Sequence, residues 1–331
     1  MEFRTLGRSG LKVSRACLGA MNFGTSSQAP CNEAEAGRII DAFLGAGANF
    51  IDTANIYTAG QSEEIVGRAV QGRREKAVIA TKGRGPIGEG HNDMGLSRLY
   101  LTRALDESLK RLGTDYVDLY QVHFPDAETP IEETMDTLAG FVRAGKARYI
   151  GCSNFTGSQI VEAQWAASRL GGVPFISLQP RYSLISRDIE TDTLPACGRN
   201  GLGTLVYSPL GGGILTGKYK AGEAPAADSR FGRNPNWAWG AISERNFAIA
   251  EAVREVAAEL GVTSTAVALA WVLTRNNVTC AIIGPRTKEQ LDENLAAFDL
   301  TLPPEVIKRL SDVSKPSSDT PRIPLPRPRA A

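Results

Sequence analysis

Four residues carry most of the chemistry that this sequence offers: Asp52, Tyr57, Lys82 and His123. Asp52 ends the short apolar run Asn49-Phe-Ile-Asp52, and Tyr57 follows five residues on. Lys82 ends Ala77-Val-Ile-Ala-Thr-Lys82, and His123 ends a run over 116–123. Runs of this kind read as buried parallel strands. Their C-terminal ends are where α/β folds build active sites. A tyrosine phenol, with a pKa near ~10, is a poor acid at neutral pH unless something stabilises its phenolate. A buried ammonium does so, and a carboxylate keeps that ammonium charged. The expected division of labour follows. Asp52 holds Lys82, Lys82 lowers the pKa of Tyr57, Tyr57 donates a proton, and His123 hydrogen-bonds a carbonyl oxygen. Such a site polarises C=O and protonates it as it becomes an alcohol. The hydride must come from a redox cofactor, because no side chain delivers one.

These side chains converge only if the strands ending near 52, 82 and 123 are neighbours. Strand-like runs fall at 15–19, 49–52, 77–82, 116–123, 148–152, 175–179, 203–207 and 279–283. Helical periods separate nearly all of them: 32–44 behind an Asn32 cap, 62–70, 97–112 between Ser97 and Gly113, 131–144, 156–170 and 188–197. Further helices read at 243–260, 263–274, 288–298 and 304–313. Eight β-then-α units predict a closed (β/α)8 TIM barrel, an α/β fold. Turn residues Gly7-Arg-Ser-Gly10 place an N-terminal β-hairpin before it. After the seventh strand, 211–241 lacks any period and carries Tyr219, Phe231, Trp237 and Trp239, which predicts a long lid loop. Residues 1–315 then form a single barrel domain, and 316–331, with five prolines, a Pro-rich tail. A doubly wound sheet is disfavoured because G-x-G-x-x-G is missing after the first strand.

Bulk composition excludes several other classes. Thirty-seven basic against 36 acidic residues leave a net charge of +1, with no cluster of one sign to attract nucleic acid or a membrane surface. Five scattered cysteines and two histidines, without C-x-x-C, point to reduced thiols in a cytoplasmic protein and to no metal. No apolar run approaches the ~20 residues of a membrane span, and the N-terminus lacks a signal core. Gly212-Gly-Ile-Leu-Thr-Gly217-Lys218 nearly matches a P-loop, but Tyr219 stands where Ser or Thr must hold Mg²⁺. A nucleotide hydrolase is therefore rejected.

Taken in order, Asp52-Thr-Ala-Asn-Ile-Tyr57, Ala80-Thr-Lys82, Asp118-Leu-Tyr-Gln-Val-His123, Gly151-Cys-Ser-Asn154, Tyr207-Ser-Pro-Leu-Gly211 and Ile283-Gly-Pro-Arg286 resemble the aldo-keto reductases. The bacterial branch that includes potassium-channel β-subunit-like proteins is the most similar, and the resemblance spans residue 1 to about 313. It implies a barrel that binds NADP(H) in extended form, with Tyr57 as general acid assisted by Lys82 and Asp52 and with His123 orienting the substrate. It also implies that Ser153, Asn154 and Gln179 bond the nicotinamide carboxamide and that Tyr207 stacks on the ring. Residues 208–218, among them Ser208, Leu210, Gly211 and Lys218, would cover the pyrophosphate. Gly284, Arg286, Gln290, Glu293 and Asn294 would hold the adenosine end. A guanidinium at Arg286, just before a helix start, independently suits a 2′-phosphate.

The expected reaction is NADPH-dependent reduction of an aldehyde or ketone. A dedicated sugar or secondary-metabolite ketoreductase, and a cofactor-sensing regulatory subunit with little turnover, are the alternatives. Met21, Phe23, Phe124, Trp237 and Trp239 are the expected substrate-pocket residues, and the glycine-rich loop 83–95 borders the same mouth. The partner is a small-molecule carbonyl compound, and a homo-oligomer stays open.

Overall fold

The computed structural model describes residues 1–25, 31–238 and 240–316, without the side chains of residues 237 and 238. Strands β1 (Phe3–Thr5) and β2 (Lys12–Ser14) form the antiparallel hairpin. The barrel consists of β3 (Ala16–Gly19), β4 (Phe50–Asp52), β5 (Val78–Gly83), β6 (Val117–Val122), β7 (Ala147–Ser153), β8 (Ser177–Gln179), β9 (Gly203–Val206) and β10 (Val278–Ile283). Neighbours in the chain are neighbours in the sheet, and β10 closes the ring against β3. The protein is a (β/α)8 barrel.

Helices α1 (Glu33–Gly45), α2 (Gln61–Ala69), α3 (Arg98–Leu112), α4 (Ile131–Arg143), α5 (Gly157–Arg169) and α6 (Thr193–Asn200) follow successive strands. Local signals set their ends. Asn32 and Ser97 accept hydrogen bonds from the backbone N–H groups of Glu35 and Tyr100, and Thr156 and Gln159 cap one another reciprocally. Caps of this type are each worth about 1 kcal/mol. Gly113 ends α3 at φ 61°, a conformation glycine takes without penalty. A single helix over 188–197 is not what forms: a 3-10 turn covers Asp188–Glu190 and α6 restarts at Thr193. Pro195 has no N–H and clashes with the preceding turn, so it fits only within the first turn of a helix.

The lid segment is also more ordered than its sequence suggests. A 3-10 turn spans Gly211–Thr216, α7 covers Arg230–Arg233, and Tyr219 and Phe231 stack at 5.0 Å as buried core residues. Two of the four lid aromatics thus pack inward. Trp239 and residues 317–331 of the tail lie outside the described residues, as does the side chain of Trp237. Helices α8 (Glu244–Leu260), α9 (Ser264–Leu273), α10 (Lys288–Ala296) and α11 (Pro304–Val313) complete the outer layer. No single described helix is long and apolar enough to cross a membrane.

Two apolar clusters hold this together. Most buried residues lie between strands and helices. A smaller group joins Cys17, Phe50, Ala80, Leu119, Leu205 and Cys280 from six barrel strands with Leu6 and Val13 from the hairpin. The hairpin therefore plugs one end of the barrel, and each such buried Leu or Phe contributes roughly 1.5–3 kcal/mol. At Gly7, φ 56°, a Cβ would lie 2.2 Å from the Ile176 carbonyl oxygen, so only glycine lets the hairpin turn seat there. The opposite end, where the strands terminate, is left for chemistry.

Candidate active site

Strand pairing brings the expected residues together. Asp52 is the last residue of β4, Lys82 lies near the end of β5, and His123 directly follows β6. The Lys82 ammonium donates to Asp52 Oδ1 at 2.5 Å, to the Thr53 carbonyl at 2.8 Å and to the Tyr57 hydroxyl at 3.2 Å. The Tyr57 and His123 rings meet edge to face with centroids 5.7 Å apart. Lys82 is fully buried and Asp52 nearly so. A buried ion pair endures where its remaining valences are satisfied, and here they are. Asp52 Oδ2 accepts from Gln179 Nε2 at 2.9 Å and from Gln121 Nε2 at 3.1 Å. Sequence reasoning missed Gln121. Its one signal is the period-two alternation that puts Gln121 and His123 on the same side of the strand line.

The charge states follow from burial and neighbours. Burial lowers the Lys82 pKa, but Asp52 and Tyr57 outweigh it and the net shift is upward, so the ammonium is retained. Burial raises the Tyr57 pKa, Lys82 opposes the rise and Asp52 adds to it; the net shift is upward. The expected lowering by Lys82 is present, but it does not bring the Tyr57 pKa below its ordinary value. It is outweighed by the loss of water, and Tyr57 keeps its proton. The His123 pKa falls to about 3 through burial, then through Lys82 and Arg84. His123 is a neutral imidazole at physiological pH. Its Nδ1 is buried without a partner, which favours the tautomer with the N–H on Nε2, where it can donate to a bound oxygen.

The residues expected around the cofactor fall at the ends of β7 to β10. Asn154, at φ 62°, donates to the His123 carbonyl and to Ser153 Oγ, both at 3.0 Å, and accepts from the Tyr207 hydroxyl at 2.9 Å. Ser153 donates to the Gln179 carbonyl at 2.8 Å. Ser208 takes φ 53°, and the adjoining turn contains Leu210 and Gly211. A Cβ on Gly213 would lie 2.4 Å from Lys218 Cε, so the glycine makes room for that lysine. The Lys218 pKa is lowered by partial burial, then by Arg286 and Arg230, against Asp228. Three cations gathered this way suit a polyanion such as a dinucleotide. Gln290 accepts from the Arg286 backbone N–H at 2.9 Å, Gly284 bonds Asn22, Asn294 is buried and Glu293 is exposed. Among the described residues no cluster of His, Cys, Asp or Glu could hold a metal ion.

The substrate-pocket residues divide. Phe124 is exposed and stacks on the His123 ring at 5.1 Å, and Met21 is half-buried after β3. Phe23 is fully buried in the outer core and presents no surface to a pocket, a correction to its expected role. Among the described residues the non-glycine positions with positive φ are Arg84, Asn154 and Ser208, each within two residues of a barrel strand's end, and Thr58 and Ala59 in the turn that follows Tyr57. Such strain persists where the surroundings enforce it, and it gathers at functional sites. Two cations were missed from sequence. Arg84 follows Lys82 by two positions, and Arg230 of α7 stands near enough to Tyr57 for each to influence the other's charge.

Fold and site together define a (β/α)8-barrel protein with a buried lysine–carboxylate pair serving a protonated tyrosine at the strand ends. The chain belongs to the Aldo/keto reductase family, whose sequence model matches residues 15–315. It is 42% identical to an uncharacterized oxidoreductase, YrpG, of Bacillus subtilis (strain 168), over 97% of this chain and 98% of that protein. It is 40% identical to a probable voltage-gated potassium channel subunit beta of Oryza sativa subsp. japonica, over 96% and 98%. A versiconal hemiacetal acetate reductase of Aspergillus parasiticus is 35% identical over 96% and 98%. Membership makes the protein an oxidoreductase by class.

Proposed function

We propose that the protein reduces aldehydes or ketones to alcohols with NADPH. The observation that carries this reading is the Asp52–Lys82–Tyr57 chain, in which a charged lysine holds a protonated phenol at the barrel mouth. A carbonyl oxygen accepting from both Tyr57 and neutral His123 is polarised toward positive carbon. Bound reduced nicotinamide would supply the hydride to that carbon. As charge develops on oxygen, Tyr57 passes it the phenolic proton, and the adjacent Lys82 ammonium stabilises the phenolate left behind. Ser153, Asn154, Gln179 and Tyr207 would hold the nicotinamide end, residues 208–218 the pyrophosphate, and Arg286 a 2′-phosphate. The Lys218, Arg230 and Arg286 group supports the choice of a dinucleotide with an added phosphate.

The test is loss of reduced-nicotinamide absorbance against a panel of aldehydes, ketones and keto-sugars, with NADPH and NADH in parallel. Tight NADPH binding without oxidation by any carbonyl would sink the enzyme reading. It would favour a cofactor-sensing subunit, the reading that the relative named as a channel subunit suggests. A dedicated ketoreductase differs only in substrate.

A further inference from the structure

We propose that Arg84 selects the substrate, and that the carbonyl compounds taken by this site carry a carboxylate or phosphate group. The inference rests on the reductase reading above and narrows its substrate class. Three observations meet at this residue. The first is register. Lys82 pairs with Gln121 and Gly83 with Val122, and the His123 N–H donates to the Gly83 carbonyl at 2.9 Å. Arg84 therefore stands level with His123 on the neighbouring strand end, two positions beyond Lys82 at the mouth of the barrel.

The second is backbone strain. Arg84 has φ 140°, a region that suits glycine and strains residues with a Cβ. Both adjoining carbonyls are tied down, Gly83 by His123 and Arg84 itself by the Gly95 N–H at 3.1 Å. The chain keeps an arginine where Gly83 and Gly85 flank it and a third glycine would be relaxed.

The third is the guanidinium itself. It is half-buried, its Nε is buried without a hydrogen-bond partner, and the side chain has no ion pair among the described residues. Asp126, the carboxylate whose charge it affects, is already committed to the N–H groups of Leu96 and Glu128 and to the Thr129 hydroxyl. A fixed cation beside neutral His123 and charged Lys82 is unfavourable alone and is compensated by an anion. The planar fork matches the paired oxygens of a carboxylate or phosphate. With its carbonyl oxygen at Tyr57 and His123, a short anionic aldehyde would reach Arg84 along the strand ends.

The test compares matched substrates: succinic semialdehyde against its methyl ester, and glycolaldehyde phosphate against glycolaldehyde. The two pairs tell a carboxylate preference from a phosphate preference. Wild type should favour the anion of at least one pair in kcat/KM by about ten- to a hundredfold. Arg84→Met should reduce that ratio by a similar factor, mainly through KM, and Arg84→Lys should retain part of it. Arg84→Gly should lose the preference and unfold at or above the wild-type temperature, because it relieves the strained φ. A wild-type ratio within about threefold of unity in both pairs, or a ratio that Arg84→Met leaves unchanged, overturns the proposal. So does an Arg84→Gly protein that keeps the preference. Turnover of the neutral members without an anionic preference refutes this inference and leaves the reductase reading intact. Absence of turnover with all four compounds refutes this inference; the reductase reading falls only if the wider panel of aldehydes, ketones and keto-sugars is also not reduced.

Discussion

Gln179 Nε2 donates to Asp52 Oδ2 across the barrel mouth at 2.9 Å, joining two residues 127 positions apart. A carboxylate only accepts, so this bond also fixes which way the Gln179 amide faces: its oxygen is turned away from Asp52. The residue expected to touch the nicotinamide carboxamide is thus physically linked to the lysine that holds the proton donor.

The Tyr57 hydroxyl is bonded by Lys82 and lies at the reacting end of the site. Tyr57→Phe should lower kcat by about 10²–10⁴-fold, the usual worth of a general acid. NADPH affinity, measured by fluorescence titration, should change little. An active Tyr57→Phe protein would remove Tyr57 from its role.

Asp52→Asn leaves a buried ammonium without its counter-charge. Breaking a buried pair in this way costs about 3–5 kcal/mol, unless Lys82 gives up its proton. Thermal unfolding should shift markedly downward. The Lys82 pKa is raised chiefly by Asp52 against the effect of burial, so the alkaline limb of the pH–rate profile should move to lower pH in the variant. An unmoved limb would show that Lys82 does not govern it.

Gln121→Leu removes one of the two amides that bond Asp52 Oδ2 and keeps a similar volume. A cost of about 1–3 kcal/mol in stability, read by denaturant unfolding, is expected from the lost partner. kcat should fall while KM stays nearly constant. A fall in NADPH affinity alone would place Gln121 in cofactor binding instead.

His123 titrates near pH 3 when folded, against about 6.5 when unfolded. Between those values the unfolded chain holds the extra proton, so His123 reduces stability progressively as pH falls from about 6.5 toward 3. Above about 6.5 it exerts no such effect. The loss is at most about 5 kcal/mol at 1.36 kcal/mol per unit. His123→Gln should be less acid-labile than wild type, and wild-type kcat should show no inflection near pH 6.5. An inflection there that disappears in the variant would mean that His123 titrates during turnover.

Arg286→Ala should weaken NADPH binding by about ten- to a hundredfold and leave NADH nearly unaffected, because only the 2′-phosphate distinguishes the two. Equal losses for both would move Arg286 to the pyrophosphate.

Sequence alone determined what is local. Apolar runs that end in Asp52, Lys82 and His123 marked the strands, and Asn32, Ser97 and Gly113 marked helix ends by capping chemistry that acts within four residues. Eight such units left few folds other than a closed barrel, so the convergence of the strand ends was legible before any coordinate. Tertiary structure decided what depends on contacts between distant strands. It brought Gln121 and Gln179 onto Asp52 across 69 and 127 residues, buried Phe23, and turned Tyr219 and Phe231 into core. It also set the sign of the Tyr57 shift, which follows from the balance between lost water and the Lys82 charge, and the strained φ of Arg84. Those quantities arise from distances through space, and spacing along a chain records only the part of them that repeats every two or every 3.6 residues.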